Sequence, residues 1–172
     1  DRFVDLVEER IDVAIRIGEL SDSSLVARKL GEVSMQLCAS SEYLAEHGEP
    51  VEPAQLADHR CVLDSNYPGG KHWKLGRQKE SVSIEVKPRL IVNSARAGRE
   101  LVRSGQGIAF LPSFAIADDI NKGRIQRLLH QYASEPIGIY AVYQHRKHLS
   151  AKIRLFIEEM NEYFNTNAPL AL

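Results

Sequence analysis

The stretch Asn93–Pro112, NSARAGRELVRSGQGIAFLP, decides the fold of this 172-residue chain. It follows an alternating run, Lys87 to Val92, that ends in Leu90-Ile91-Val92. Asn93 and Ser94 carry side-chain oxygens suited to capping a helix N-terminus. Leu101 and Val102 give the helix an apolar side, and Arg96, Arg99, Glu100 and Arg103 a wet one. Gly105 and Gly107 stop it, and Ile108 to Leu111 reads as a buried strand closed by Pro112. Strand, capped helix, glycine turn and strand form a βαβ unit, a connection that is right-handed in nearly all cases. At the entrance of that helix, unpaired N–H groups and the positive dipole end offer a site for a carboxylate or another small anion.

Outward from this unit, strands and helices alternate, which predicts an α/β fold with largely parallel sheets. Phe3, Leu6 and Val7 share a helical face, and Ile11 to Ile17 is a strand ended by Gly18. Val33 to Ala39 alternates as a strand with one covered face. Ser41 caps a short helix ended by Gly48 and Pro50, and Pro53 opens another that leads to the strand Cys61 to Leu63. Turns surround a short strand between Asn66 and Arg77, and Ser81 to Val86 alternates again. Gly123 follows the helix Ser113 to Lys122. Ser150 caps the last helix, whose stripe is Ile153, Phe156, Ile157, Met160, Tyr163 and Phe164, and Asn165 to Leu172 reads as a frayed tail.

Hydrophobic residues at 44% and charged residues at 26% are ordinary for a globular protein. A formal net charge of −1 lacks the footprint of a nucleic-acid binder. Cys38 and Cys61 lie in apolar runs and read as buried free thiols. Asp1-Arg2-Phe3 leads into an amphipathic helix and not a signal peptide. The longest apolar stretch, Ile108 to Ala117, falls short of the ~20 residues a membrane helix needs, so the expected location is the cytoplasm, without membrane contact.

Enzyme motifs are missing. There is no G-x-S-x-G, H-E-x-x-H, Walker loop or C-x-x-C. Gly105-Gln106-Gly107 ends a helix where a dinucleotide loop would open one, and Phe110 stands in the place of the third glycine. His145-Arg146-Lys147-His148 reads as a solvated basic loop, since two histidines without a carboxylate or thiol make a poor metal set. No catalysis, no cofactor and no metal are expected.

Four blocks together carry a family resemblance: NSARAGRELVRSGQGIAFLP, DLVEERIDVAIRIGELSDSSLVARKLG (Asp5–Gly31), LCASSEYLAEHGEPVEPAQLADHRCV (Leu37–Val62) and IYAVYQHRKHLSAKIRLFIEEM (Ile139–Met160). In this order they resemble the effector-binding domain of LysR-type transcriptional regulators, from about Asp1 to about Met160. The resemblance implies two Rossmann-like lobes, similar to type II periplasmic binding proteins, with a ligand cleft between them. It places lobe I at 1–61 and 134–172 and lobe II at 62–133, with crossings near Arg60–Leu63 and Gln131–Ile137. It also implies that the first strand-helix-strand of lobe I is absent, as is the helix-turn-helix through which the parent protein would bind DNA. The intact protein is then expected to be a homo-oligomer sensing a small-molecule effector. The alternative is a periplasmic-type solute-binding protein for transport.

The residues expected to hold the effector are Arg16, Asp64, Ser65, Asn93, Ser94, Ala95, Phe110 and Pro112. Each also has a plain structural reading. Asn93 and Ser94 serve equally as a helix cap, and Asp64 and Ser65 as turn residues. Arg16 reads as a solvated or ion-paired strand end, and Trp73 as a partly buried aromatic.

Overall fold

The computed structural model describes residues 6, 8–18, 25–76, 81–144 and 150–166. The described chain divides into two compact units. One is the continuous stretch Ser34–Glu135; the other is built from Arg2–Val33 and Pro136–Ala171.

The continuous unit contains β3 (Met35–Ser40), α1 (Ser41–His47), a 3-10 segment at Pro53–Asp58, β4 (Cys61–Asp64), β5 (His72–Leu75), β6 (Val82–Glu85), β7 (Pro88–Val92), α2 (Ala95–Arg103), β8 (Ile108–Pro112), α3 (Ser113–Asn121) and β9 (Ile125–Leu128). Its five-stranded sheet has the order β7-β4-β8-β3-β9. β4 pairs parallel with both β7 and β8, so β4 lies between the two strands that α2 connects. β3 pairs antiparallel with β8 and with β9.

α2 and α3 cover one face of this sheet. Cys38, Val62, Val102, Ala109, Leu111, Ile116 and Ile125 form the core there, with Leu90, Val92, Ala95 and Leu101 packed against it. Full burial of a Val or Leu side chain stabilises by ~1.5–3 kcal/mol, so this cluster outweighs any single surface contact. Gly98 lets α2 approach closely: a Cβ there would stand 3.0 Å from Leu111 Cδ2. The opposite face carries Phe110, whose ring lies 5.4 Å from Tyr67 and 5.8 Å from the buried Trp73. Trp73 comes from the antiparallel pair β5–β6.

The discontinuous unit is a three-stranded antiparallel sheet, β1 (Val13–Ile17), β10 (Ile137–Gln144) and β2 (Leu25–Val33), with β10 in the middle. Leu30 is the extra residue of a bulge, because Ile139 stands opposite Gly31 and Tyr140 opposite Lys29. The bulge leaves Leu30 buried with Ala141 against Ile153 and Ile157 of α4 (Ala151–Thr166). Met160 and Phe164 extend that stripe, whereas Phe156 and Tyr163 are exposed, so only part of the expected apolar face meets the sheet.

Several expectations need correction. The sheets are not largely parallel: only the β4 pairings are parallel among the described strands. Hydrophobic alternation marks a strand without encoding its direction. β3 is buried on both faces, since it lies between two strands and under two layers. The first division between units falls at Val33/Ser34 and not near Cys61, because β3 and β4 both bond to β8 in one sheet. The second division falls at Glu135/Pro136. The first strand begins at Val13, and the cap of α1 is Ser40 in place of Ser41. Asn165 and Thr166 are helical. Phe3, Val7, His145 to His148 and the end of the tail lie outside the described residues.

Candidate functional site

The β7–α2 junction positions the first group of expected residues. Val92 ends a strand that is parallel to β4, so Asn93, Ser94 and Ala95 leave the sheet at the C-terminal edge of its parallel strands. Ser94 occupies the N-cap position with extended backbone (φ −153°, ψ 129°), yet its hydroxyl accepts no N–H from the helix. The first turn of α2 holds no acidic residue either. α1 differs: there the Ser40 hydroxyl accepts the Tyr43 N–H at 3.3 Å. Thus α2 presents its first-turn N–H groups without a side-chain acceptor, the condition under which a helix end attracts an anion.

The loop after β4 is tied to this junction. The Ser65 N–H donates to the Val92 carbonyl at 2.7 Å. Asn66 Nδ2 donates to the Asn93 carbonyl at 2.6 Å, and the Asn66 N–H donates to Asp64 Oδ1 at 3.0 Å. Asp64 is only 8% exposed. Val62 belongs to the core under α2, so Asp64, two residues on in the same strand, faces the α2 side as well. The structure therefore brings Asp64, Ser65, Asn93 and Ser94 together, and Ala95 joins them as a backbone donor whose methyl packs in the core.

Asn66 was missed. An Asn-Tyr-Pro-Gly run reads as turn chemistry, and nothing local reveals a bond to a carbonyl 27 positions away.

The other expected residues are placed differently. Phe110 is 3% exposed and packs on the sheet face turned away from α2, because its neighbours Ala109 and Leu111 face the helices. Pro112 ends β8 half-buried, opposite Met35, and leads directly into α3. Arg16 lies in the discontinuous unit, half-buried on β1 opposite Tyr140.

Other chemistry is scarce. Cys38 and Cys61 are free and buried, and burial pushes both thiols up to about 12, which keeps them protonated and unreactive. Among the described residues no group of His, Cys, Asp and Glu could hold a metal ion. A cavity of about 370 Å³ lies at the other end of α2, against Ser41, Glu42, Glu100, Arg103, Ser104 and Arg124. None of the expected residues lines it. Its arginines are engaged by Glu100, Asp118 and the buried Asp119.

In α/β sheets, helix and strand ends gathered at one edge of the sheet are where ligands tend to bind. The chain belongs to the LysR substrate binding domain family, whose model matches residues 1–165. It is 32% identical over 160 residues to the HTH-type transcriptional activator AaeR of Escherichia coli K12, which covers 93% of this chain and 52% of AaeR. It is 36% identical over 163 residues to the HTH-type transcriptional regulator PtxR of Pseudomonas aeruginosa, covering 95% and 52%. The chain thus spans about half the length of these curated relatives. Among solved structures, the regulatory domain of CrgA, a LysR-type transcriptional regulator from Neisseria meningitidis, superposes with a TM-score of 0.84 at 31% identity, over 95% of this chain and 80% of that one. The fold is that of LysR regulatory domains, type II periplasmic-binding-protein-like. No helix of the described residues is long and apolar enough to cross a membrane.

Proposed function

We propose that this chain is the ligand-sensing part of a LysR-type transcriptional regulator and that its effector is a small anionic metabolite. One observation carries the choice of site. Ser94 stands at the N-cap of α2 with its hydroxyl making no cap hydrogen bond, at the C-terminal edge of the parallel strands. The first-turn N–H groups and the Ser94 hydroxyl receive the anion, with Asn93 and Ala95 fixing the turn. The Asp64–Ser65 loop and Pro112 border the same edge. The domain binds without turnover. In the intact regulator, working in the cytoplasm as a homo-oligomer, a helix-turn-helix of the kind named in the relatives would carry DNA binding. Family membership favours this reading over a transport protein.

Thermal-shift screening of small carboxylic acids tests it, since a ligand at 100 times its Kd stabilises by ~2.7 kcal/mol. An acid found this way should bind several-fold more weakly to Ser94→Ala. An affinity unchanged by that substitution would move the site elsewhere.

A further inference from the structure

We propose that the effector carries a hydrogen-bond donor, a hydroxyl or an ammonium, on the carbon next to its carboxylate, and that Asp64 is the acceptor that selects it. This inference rests on the α2-entrance site proposed above and adds the ligand's second functional group.

Asp64 is more than nine-tenths buried and ends β4 on the α2 side of the sheet. Its Oδ1 accepts the Asn66 N–H, and Oδ2 has no partner among the described residues. No fully buried side-chain nitrogen or oxygen among those residues lacks a hydrogen bond. Oδ2 therefore still meets solvent. An acceptor with spare lone pairs is thus held at the strand end beside the junction that Ser65 and Asn66 tie down.

A carboxylate beside a site for an anion looks contradictory until the ligand is given both groups. The ligand's carboxylate goes to the α2 N–H groups, and its neighbouring O–H or N–H goes to Asp64. A plain acid would keep the repulsion between the two carboxylates and leave Oδ2 without a donor, so the same residue favours the correct ligand over its unsubstituted analogue. Sites built to hydrogen-bond a substituent reject analogues that lack it far more strongly than apolar pockets reject a missing methylene.

Matched acids isolate the substituent. Propionate, lactate and alanine share one skeleton, as do phenylacetate, mandelate and phenylglycine. Calorimetric titration of the chain should show lactate or alanine, or their phenyl counterparts, binding ~10- to 100-fold more tightly than the unsubstituted acid. Whether the hydroxy or the amino member wins identifies the donor. Asp64→Asn keeps an acceptor for the Asn66 N–H but turns an amide toward the ligand, and should reduce the preference to within about threefold. Ser94→Ala should weaken all members of a series together. Should D64N not fold, D64S keeps one acceptor and reads the same ratio. Equal binding of propionate and lactate or alanine, still weakened by Ser94→Ala, would overturn the role of Asp64 and leave the site standing. A preference that survives D64N or D64S would overturn it as well. If none of the six acids binds, the carboxylate site fails and this inference fails with it.

Discussion

The hydroxyl of Tyr43 lies 3.1 Å from Nδ1 of His59 while it accepts the backbone N–H of Arg60 at 3.0 Å. With Arg60 occupying the acceptor side, the Tyr43 proton is free to donate to an unprotonated Nδ1, so the geometry favours a neutral His59. Burial lowers the His59 pKa below its ordinary 6.5, His47 lowers it further, and Asp58 opposes them. His47 itself stacks on the Tyr43 ring at 4.3 Å, with Glu46 beside it.

A pH dependence follows from that lowered pKa. The unfolded chain binds the His59 proton more readily than the folded one, so folding stability rises with pH in this window. The contribution is fully present above 6.5 and is lost as pH falls through the lowered folded value. Denaturant midpoints measured between pH 8 and pH 5 should show this loss for the wild type and a smaller one for His59→Gln. Identical slopes in the two proteins would remove His59 from the account.

The two serine caps should respond differently. Ser40→Ala removes a bonded cap and should cost ~1 kcal/mol. Ser94→Ala removes a hydroxyl that caps nothing and should leave the empty protein within about 0.5 kcal/mol of wild type. Thermal melts of the two variants compare them directly.

Asp119 should matter far more than its neighbour. It is 2% exposed and meets Arg124 Nε at 3.0 Å, Arg103 Nε at 3.4 Å and Arg99 Nε at 3.5 Å, joining α2, α3 and the start of β9. Asp119→Ala leaves three guanidinium groups without their shared partner and should cost about 2 kcal/mol in a urea titration. Asp118 pairs with Lys122 and Arg124 from an exposed position, and its replacement by alanine should leave the midpoint unchanged.

Gly107 allows no side chain. Its φ is +148°, and a Cβ there would stand 2.2 Å from the Arg60 carbonyl oxygen, which accepts the Ile108 N–H at 2.8 Å. Gly107→Ala must break the start of the β4–β8 pairing, and should cost about 3 kcal/mol or more. A near-wild-type melting temperature would contradict that close approach.

These sites also show what the sequence could reveal. The α2 segment was legible nearly to the residue, because caps, glycines and a buried strand follow one another and their effects are local. The neighbours of each strand were not. β3 reads as half-covered from its alternation, yet sits between β8 and β9 with every residue buried. Phe110 reads as an effector contact, but alternation within β8 turns it to the aromatic face with Tyr67 and Trp73. The clustering of Asp64 and Ser65 with Asn93 and Ser94 came from family resemblance, whereas the Asn66 bond that ties the two segments is purely tertiary.

The position of β10 between β1 and β2 sets an order of events during synthesis. Ser34–Glu135 holds all the strands of its own five-stranded sheet, so it can fold as soon as it clears the ribosome. β1 and β2 are made earlier but bond to β10 and not to each other, so they wait for more than a hundred further residues. Folding of the continuous unit meanwhile shortens the effective loop between β2 and β10, which lowers the entropy cost of closing the last sheet. Chains that end before Ile137 and are carried clear of the ribosome by a C-terminal linker should therefore hold a native continuous unit, with two strands left for a chaperone to guard.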